Sequence, residues 1–71
     1  MNKQLLCSKM KLFGDTQATL AKALGISLSQ TNAKINEKSA EFTQNEICAI
    51  KKRYRLTAEE VDDIFFDIKV S

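Results

Sequence analysis

The stretch that constrains the fold most is Q-A-T-L-A-K-A-L-G-I-S-L-S-Q-T-N-A-K-I-N, residues 17–36. Its apolar residues recur at helical spacing on both sides of one glycine, Gly25. A glycine at this point favours the left-handed backbone conformation that ends a helix. The small side chain of Ala21 lets two helices cross closely. The pattern predicts two short helices joined by a tight turn.

The rest of the chain has the same helical character. It contains no proline and only two glycines, Gly14 and Gly25, so few residues interrupt helices. The spacing of apolar residues predicts an all-α domain of five helices. The first three cover about residues 3–13, 17–24 and 27–36, and the fourth and fifth begin after positions 43 and 57. The first helix should bury Leu6, Met10 and Phe13. The fifth should bury Val61, Ile64 and Phe65.

Helix starts are marked by local capping signals. Three Ser or Thr residues stand three positions before Gln or Glu, the spacing of a capping box. They are the pairs Ser27 and Gln30, Thr43 and Glu46, and Thr57 and Glu60. Thr16 is the expected cap of the second helix. These signals fix the helix starts independently of the apolar periodicity.

Seventy-one residues are enough for a single domain, residues 1–71. The longest apolar run is far below the length of a membrane span, and the first residues alternate charged and apolar types, so we expect no signal peptide and a cytoplasmic location. Cys7 and Cys48 are expected to be reduced, partly buried thiols. With no histidine and only two cysteines, the sequence predicts no metal site and no cofactor.

Enzymatic activity finds no support in the sequence. A Ser or Cys nucleophile would lack the histidine that normally activates it. The paired carboxylates Glu59–Glu60 and Asp62–Asp63 fall on one short predicted helix without a visible pocket. We therefore expect a binding protein and not an enzyme.

Charge is distributed unevenly along the chain. Residues 1–56 hold ten Lys and Arg against four Asp and Glu, a balance of +6, whereas residues 57–71 hold one Lys against five acids, a balance of −4. A basic body with an acidic end is typical of a protein with one side facing phosphates. Solvation of a small helical protein explains the same charges.

The string Q-A-T-L-A-K-A-L-G-I-S, followed by a capped helix and F-T-Q-N-E-I, resembles the lambda-repressor-like helix-turn-helix family. Within that family it is most similar to small Cro-type, phage-associated regulators of about this length. The resemblance implies a five-helix domain, usually dimeric on operator DNA, with the third helix in the major groove. It also implies a phage or prophage gene in a bacterial cell, and a role in a genetic switch.

The resemblance also implies roles for individual residues. Base contacts come from exposed positions early in the third helix, which here are Leu28, Ser29, Gln30, Asn32 and Ala33. The carboxamides of Gln30 and Asn32 are able to read adenine bidentately, and Leu28 and Ala33 offer only a methyl contact. The expected phosphate contacts are Gln17, Ser27, Lys34 and Lys38. Thr31 departs from the aliphatic residue expected on the inner side of this helix, and its hydroxyl should bond a carbonyl of the preceding turn.

A second function fits the same scaffold. The chain would then be a modulator or antirepressor that binds a phage repressor protein instead of DNA. Leu28 and Ala33 would form an apolar strip on the third helix. Phe66 is a third candidate contact, because adjacent helical residues diverge by about 100° and Phe65 and Phe66 cannot face one core. The phosphate positions and the charge distribution favour DNA.

Overall fold

A computed structural model describes residues 1–38 and 40–66, which form helices and turns without any strand. The helices are α1 (Lys3–Leu12), α2 (Gln17–Leu24), α3 (Leu28–Ile35), α4 (Gln44–Arg53) and α5 (Ala58–Val61), and a π-helical turn (Asp62–Phe66) continues α5. The predicted all-α class is therefore confirmed for these residues, and the predicted helix starts agree with the observed ones. Among the described residues, no helix has both the length and the apolar character that crossing a membrane requires.

The fifth helix differs from the uniform helix that the apolar stripe predicts. Only Ala58–Val61 is α-helical, and the backbone then widens into π-helical geometry. Ile64 is fully buried in the core, and Phe65 packs edge-on against Phe42 with ring centroids 5.9 Å apart. Phe66 is 51% exposed, whereas Phe65 packs against the core, so the prediction that the two do not both face the core is confirmed.

All three predicted capping boxes are present. In each box, the Ser or Thr hydroxyl accepts a hydrogen bond from the backbone N–H of the residue three positions later. The side chain of that later residue accepts a hydrogen bond from the backbone N–H of the Ser or Thr. Thr16 also caps α2 as expected, through a reciprocal box with Thr19. Each box gives partners to first-turn N–H groups that would otherwise lack them.

These caps should carry measurable stability. The Thr43 hydroxyl accepts from Glu46 N at 3.2 Å, and the Thr57 hydroxyl accepts from Glu60 N at 3.1 Å. Thr43→Ala and Thr57→Ala should each lower the free energy of unfolding by about 0.5–2 kcal/mol in urea titrations. Ser8→Ala is the matched control, because Ser8 lies exposed within α1 and should lose no stability. Unchanged midpoints in both Thr variants would contradict the prediction.

The four longer helices end in the same way. After each, one residue takes a positive φ, and these residues are Gly14 (68°), Gly25 (72°), Glu37 (54°) and Arg55 (51°). At the end of α2, Ile26 N–H donates to the Ala21 carbonyl and Gly25 N–H to that of Lys22. This pair of bonds is a Schellman motif, which satisfies carbonyls left free at the helix end. The resulting turn sets α3 against α2.

The core joins all five helices and the π-helical turn. Its fully buried members are Leu6, Leu20, Ile35, Ile50, Ile64 and Thr31. The Thr31 hydroxyl donates to the Ser27 carbonyl at 3.0 Å, as predicted, so the buried hydroxyl is satisfied. Two other expectations are corrected. Phe13 is 46% exposed because α1 ends before it, and it packs on Tyr54 instead of entering the core. Cys48 lies exposed, whereas Cys7 is partly buried.

Candidate nucleic-acid interface

The outer side of α3 carries the residues predicted to read bases. Leu28, Ser29, Gln30 and Asn32 are exposed, and Ala33 is half-buried. They are exposed because the opposite side of α3 is anchored by Thr31 and Ile35, which are buried against the rest of the core. The helical period thus presents a short polar surface that opens with one apolar side chain, Leu28.

A row of hydrogen-bonded side chains crosses three helices at this surface. The Asn32 Nδ2 donates to Gln17 Oε1 on α2 at 3.0 Å. The Asn36 Nδ2 donates to Asn32 Oδ1 at 3.1 Å and to the Asn32 carbonyl at 2.9 Å. The Lys3 ammonium, on α1, donates to Asn36 Oδ1. We call these four residues, Lys3, Asn36, Asn32 and Gln17, the amide row.

The amide row leaves Asn32 able to bind further groups. A carboxamide has two N–H groups and two oxygen lone pairs. Asn32 uses one N–H on Gln17 and one lone pair on Asn36. Among the described residues, one donor and one acceptor of Asn32 therefore remain without a partner, and these are the two types of group that an adenine edge requires. The side chain is also held in one orientation before any ligand arrives.

Gln30 and Ser27 are committed to each other. The Ser27 hydroxyl accepts from Gln30 N at 3.0 Å, and Gln30 Oε1 accepts from Ser27 N at 3.1 Å. The structural role of Gln30 as the second half of the capping box is therefore present. Its Nε2 and the Ser27 hydroxyl proton remain as donors at the beginning of α3. Gln30 is thus less suited than Asn32 to bidentate base contact.

The electrostatics of helix starts separate α2 and α3 from the later helices. Neither α2 nor α3 has an acidic residue in its first turn. By contrast, α4 has Glu46 there, and α5 has Glu59 and Glu60. Carboxylates at these positions offset the positive end of the helix dipole. The start of α3, beside Ser27, keeps that positive end available to an anion, whereas the Asp15 carboxylate already lies beside the first turn of α2.

Lys34 has a partner that the sequence did not indicate. Its ammonium lies 2.6 Å from Glu46 Oε1 and 2.7 Å from Oε2, and both side chains are largely buried. Burial raises the pKa of the Glu46 carboxyl, but the hydrogen bonds from Lys34 and from Thr43 N outweigh it and leave that pKa below its usual value. The pair ties α3 to α4. Lys34 is therefore not retained among the candidate phosphate contacts. Lys38 lies exposed and remains a candidate.

The residues predicted for a protein partner occupy two parts of the surface. Leu28 is 52% exposed at the start of α3. Phe66 is 51% exposed and lines a pocket of about 210 Å³ together with Phe42, Ile47 and Phe65. Ala33 adds little, because it is half-buried. Of the predicted strip on α3, Leu28 alone has a large apolar surface.

A cluster that the sequence pattern did not indicate surrounds Asp15, just before α2. Its carboxylate, only 7% exposed, accepts hydrogen bonds from Arg53 Nε and Nη2, Tyr54 Oη and Thr19 Oγ1. The hydrogen bond from Arg53, with those from Tyr54 and Thr19, holds the Asp15 pKa well below its usual value despite burial. Burial and the Asp15 carboxylate raise the pKa of Tyr54. Arg53 therefore joins α4 to the start of α2, and its charge also complements the dipole of α4 at the C-terminal end of that helix.

Two members of the amide row were also absent from the prediction. Asn36 follows Asn32 by four residues on the same helix, and side chains at that spacing are neighbours. That signal was present in the sequence and pointed to the pair. Lys3 is brought to Asn36 only by the packing of α1, across 33 positions of the chain. No local pattern reports such a contact.

The comparisons with known proteins place no further constraint on this surface. No family model matches the chain, and no curated protein and no solved structure matches it either.

Proposed function

We propose that this chain is a lambda-repressor-like helix-turn-helix protein of the Cro type, a DNA-binding regulator in a phage genetic switch. The observation that carries the proposal is Asn32, an exposed carboxamide on α3 that Gln17 and Asn36 hold with one donor and one acceptor free. A reader of base edges needs that combination of exposure, fixed orientation and unused hydrogen-bonding capacity.

In the proposed complex, α3 lies in the major groove and contacts are divided by type. Asn32 reads a base, with Ser29 and Leu28 beside it. Gln17, Ser27 and Lys38 bind phosphates, which fixes position without carrying sequence information. The start of α3, whose first turn has no acidic residue, favours the same anions. A homodimer on a two-fold symmetric operator completes the proposal.

The direct test is selection of bound duplexes from a pool of random sequence. We expect a recurring sequence with an adenine in each half-site, confirmed by gel shift on that duplex and on DNA flanking the gene. Binding should also weaken as salt rises, with a log–log slope of about −0.9 for each phosphate that the protein neutralises. Recovery of no common sequence, with equal affinity for all duplexes, would contradict the proposal.

A second candidate function rests on Leu28. A leucine that is 52% exposed at the first position of α3 is unfavourable in water and gains only a methyl contact from DNA. Buried against a repressor protein, the same side chain would contribute about 1.5–3 kcal/mol. The chain would then act as a modulator of that repressor. The free donor and acceptor of Asn32 favour DNA over this alternative.

Leu28→Gln distinguishes the two functions. For a DNA-binding regulator, the new carboxamide should change the preferred base at one position and leave any affinity for a neighbouring repressor unchanged. For a modulator, loss of the apolar contact should weaken repressor binding by about tenfold or more. Both affinities are measured on this one variant, by duplex selection and by calorimetry with the purified repressor. Loss of repressor binding with no change in base preference would overturn the DNA proposal.

A further inference from the structure

We propose that Lys3, on α1, is a positioning residue that sets the donor and acceptor order of the amide row and thereby the base preference of Asn32. The inference rests on the proposed function for its consequence on DNA. The orientation of the side chains can be tested without any DNA. Neither Lys3 nor α1 belongs to the pair of helices that the DNA proposal uses.

The Lys3 ammonium sets the direction of the first hydrogen bond in the amide row. A lysine ammonium has three donors and no acceptor. The group that Lys3 meets on Asn36 must therefore be the carboxamide oxygen, and Asn36 Nδ2 is directed the other way. A carboxamide alone can rotate by 180° and exchange its two ends at little cost. Next to Lys3, that rotation would set an amino group against an ammonium.

The orientation of Asn36 in turn sets the orientation of the next two carboxamides in the amide row, those of Asn32 and Gln17. Because Asn36 Nδ2 is fixed as a donor, it meets the oxygen of Asn32 and the Asn32 carbonyl, both acceptors. Asn32 Nδ2 is then directed to Gln17 Oε1. At the end of the row, Gln17 Nε2 makes no hydrogen bond to the described residues and is left as a donor. Each amide has one orientation. Two groups impose it on Asn36: the Lys3 ammonium, which only donates, and the Asn32 backbone carbonyl, which only accepts.

The consequence is a fixed order at the surface. The free N–H and the free lone pair of Asn32 appear in one arrangement, which fits an adenine edge presented in one register. The Gln17 amino group, which is a donor only, fits an acceptor such as a phosphate oxygen. Without Lys3, the Asn32 carbonyl alone opposes the reversed orientation of Asn36. The reversed order should then become more populated, and the discrimination between bases should fall.

Lys3→Met is the decisive variant, because it keeps much of the length of the side chain and removes the donor. The ratio of affinity for the selected duplex to that for random duplexes should fall about fivefold or more. Lys3→Arg, which is also only a donor, should restore the ratio. Lys11→Met removes the same charge from an exposed position on the same helix and should keep the ratio. A ratio unchanged in Lys3→Met, or equally reduced in Lys11→Met, would overturn the inference.

A second variant and a second readout separate this inference from the proposed function. Asn36→Asp breaks the row at its next link, since aspartate cannot donate to Asn32, and should lower the same ratio. In the free protein, side-chain amide NMR signals of Asn32 and Gln17 should shift in Lys3→Met and return in Lys3→Arg. Unshifted signals overturn the amide row whatever the DNA result. Failure of the unaltered protein to select any duplex overturns the proposed function alone.

Discussion

Asp15→Ala is expected to lower the free energy of unfolding by about 3 kcal/mol, because it removes a nearly buried carboxylate that accepts several hydrogen bonds. The carboxylate accepts from Arg53, Tyr54 and Thr19, and its removal leaves three donors without that acceptor. The Tyr54 hydroxyl should account for the largest part of this loss, because Tyr54 is only 2% exposed and water has little access to replace the carboxylate. In a domain of this size, the melting temperature should fall by roughly 12–24 °C.

Two control variants isolate the cause of this loss. Asp63→Ala removes a carboxylate that lies exposed on the π-helical turn and should change stability little. Tyr54→Phe removes only one of the donors, so it should cost less than Asp15→Ala. Urea titrations of the three variants at pH 7 give the comparison. A loss below about 1 kcal/mol for Asp15→Ala would mean that water replaces the carboxylate at little cost.

The same carboxylate predicts a pH dependence. In the unfolded chain Asp15 should titrate near its ordinary value of 3.8, and in the folded protein the Arg53 hydrogen bond lowers its pKa below that. The unfolded state therefore binds the proton first as pH falls, and stability is lost below about pH 4. The lowered pKa values of Glu46 and Glu60 act in the same direction. Asp15→Asn should lose less stability between pH 6 and pH 3 than the unaltered protein, and equal losses would contradict the prediction.

Helix starts could be predicted from the sequence, and helix ends only in part. A capping box needs residues three positions apart, so Thr43 and Thr57 mark their helices without knowledge of the fold. The ends of α1 and α2 are marked by glycine. The ends of α3 and α4 have Glu37 and Arg55 in the left-handed conformation, which these residues seldom adopt. There the same pair of backbone hydrogen bonds closes the helix as at the end of α2, but the residue type gives no sign of it.

The candidate site shows the same division. The exposure of Asn32 and Leu28 and the burial of Thr31 follow from the helical period, and were predicted. The partners of these residues were not. Lys34 forms an ion pair with Glu46 because α4 packs beside α3. Asp15 accepts hydrogen bonds from Arg53, which lies 38 positions away in the chain. Contacts between distant segments depend on the assembled core and leave no local pattern.

Asn32→Ala is expected to remove discrimination at one base position, with a loss of about 1–3 kcal/mol on the selected duplex, equivalent to roughly 5- to 150-fold in affinity. Random duplexes should be bound nearly as well as before, because the proposed phosphate contacts at Gln17, Ser27 and Lys38 do not read sequence. The methyl group of alanine still fits α3, and helix propensity rises, so the fold should be retained. Gel shifts on selected and random duplexes measure both affinities.

Asn45→Ala is the matched control, since Asn45 lies exposed in the first turn of α4, away from the amide row. It should leave both affinities unchanged. Gln30→Ala should have a smaller effect on base preference than Asn32→Ala, because Gln30 Oε1 is already bound to the Ser27 backbone. Its main effect should be lower stability, through loss of half the capping box. If Asn32→Ala weakened binding equally on selected and random duplexes, Asn32 would be a phosphate contact, and base reading would have to come from elsewhere on α3.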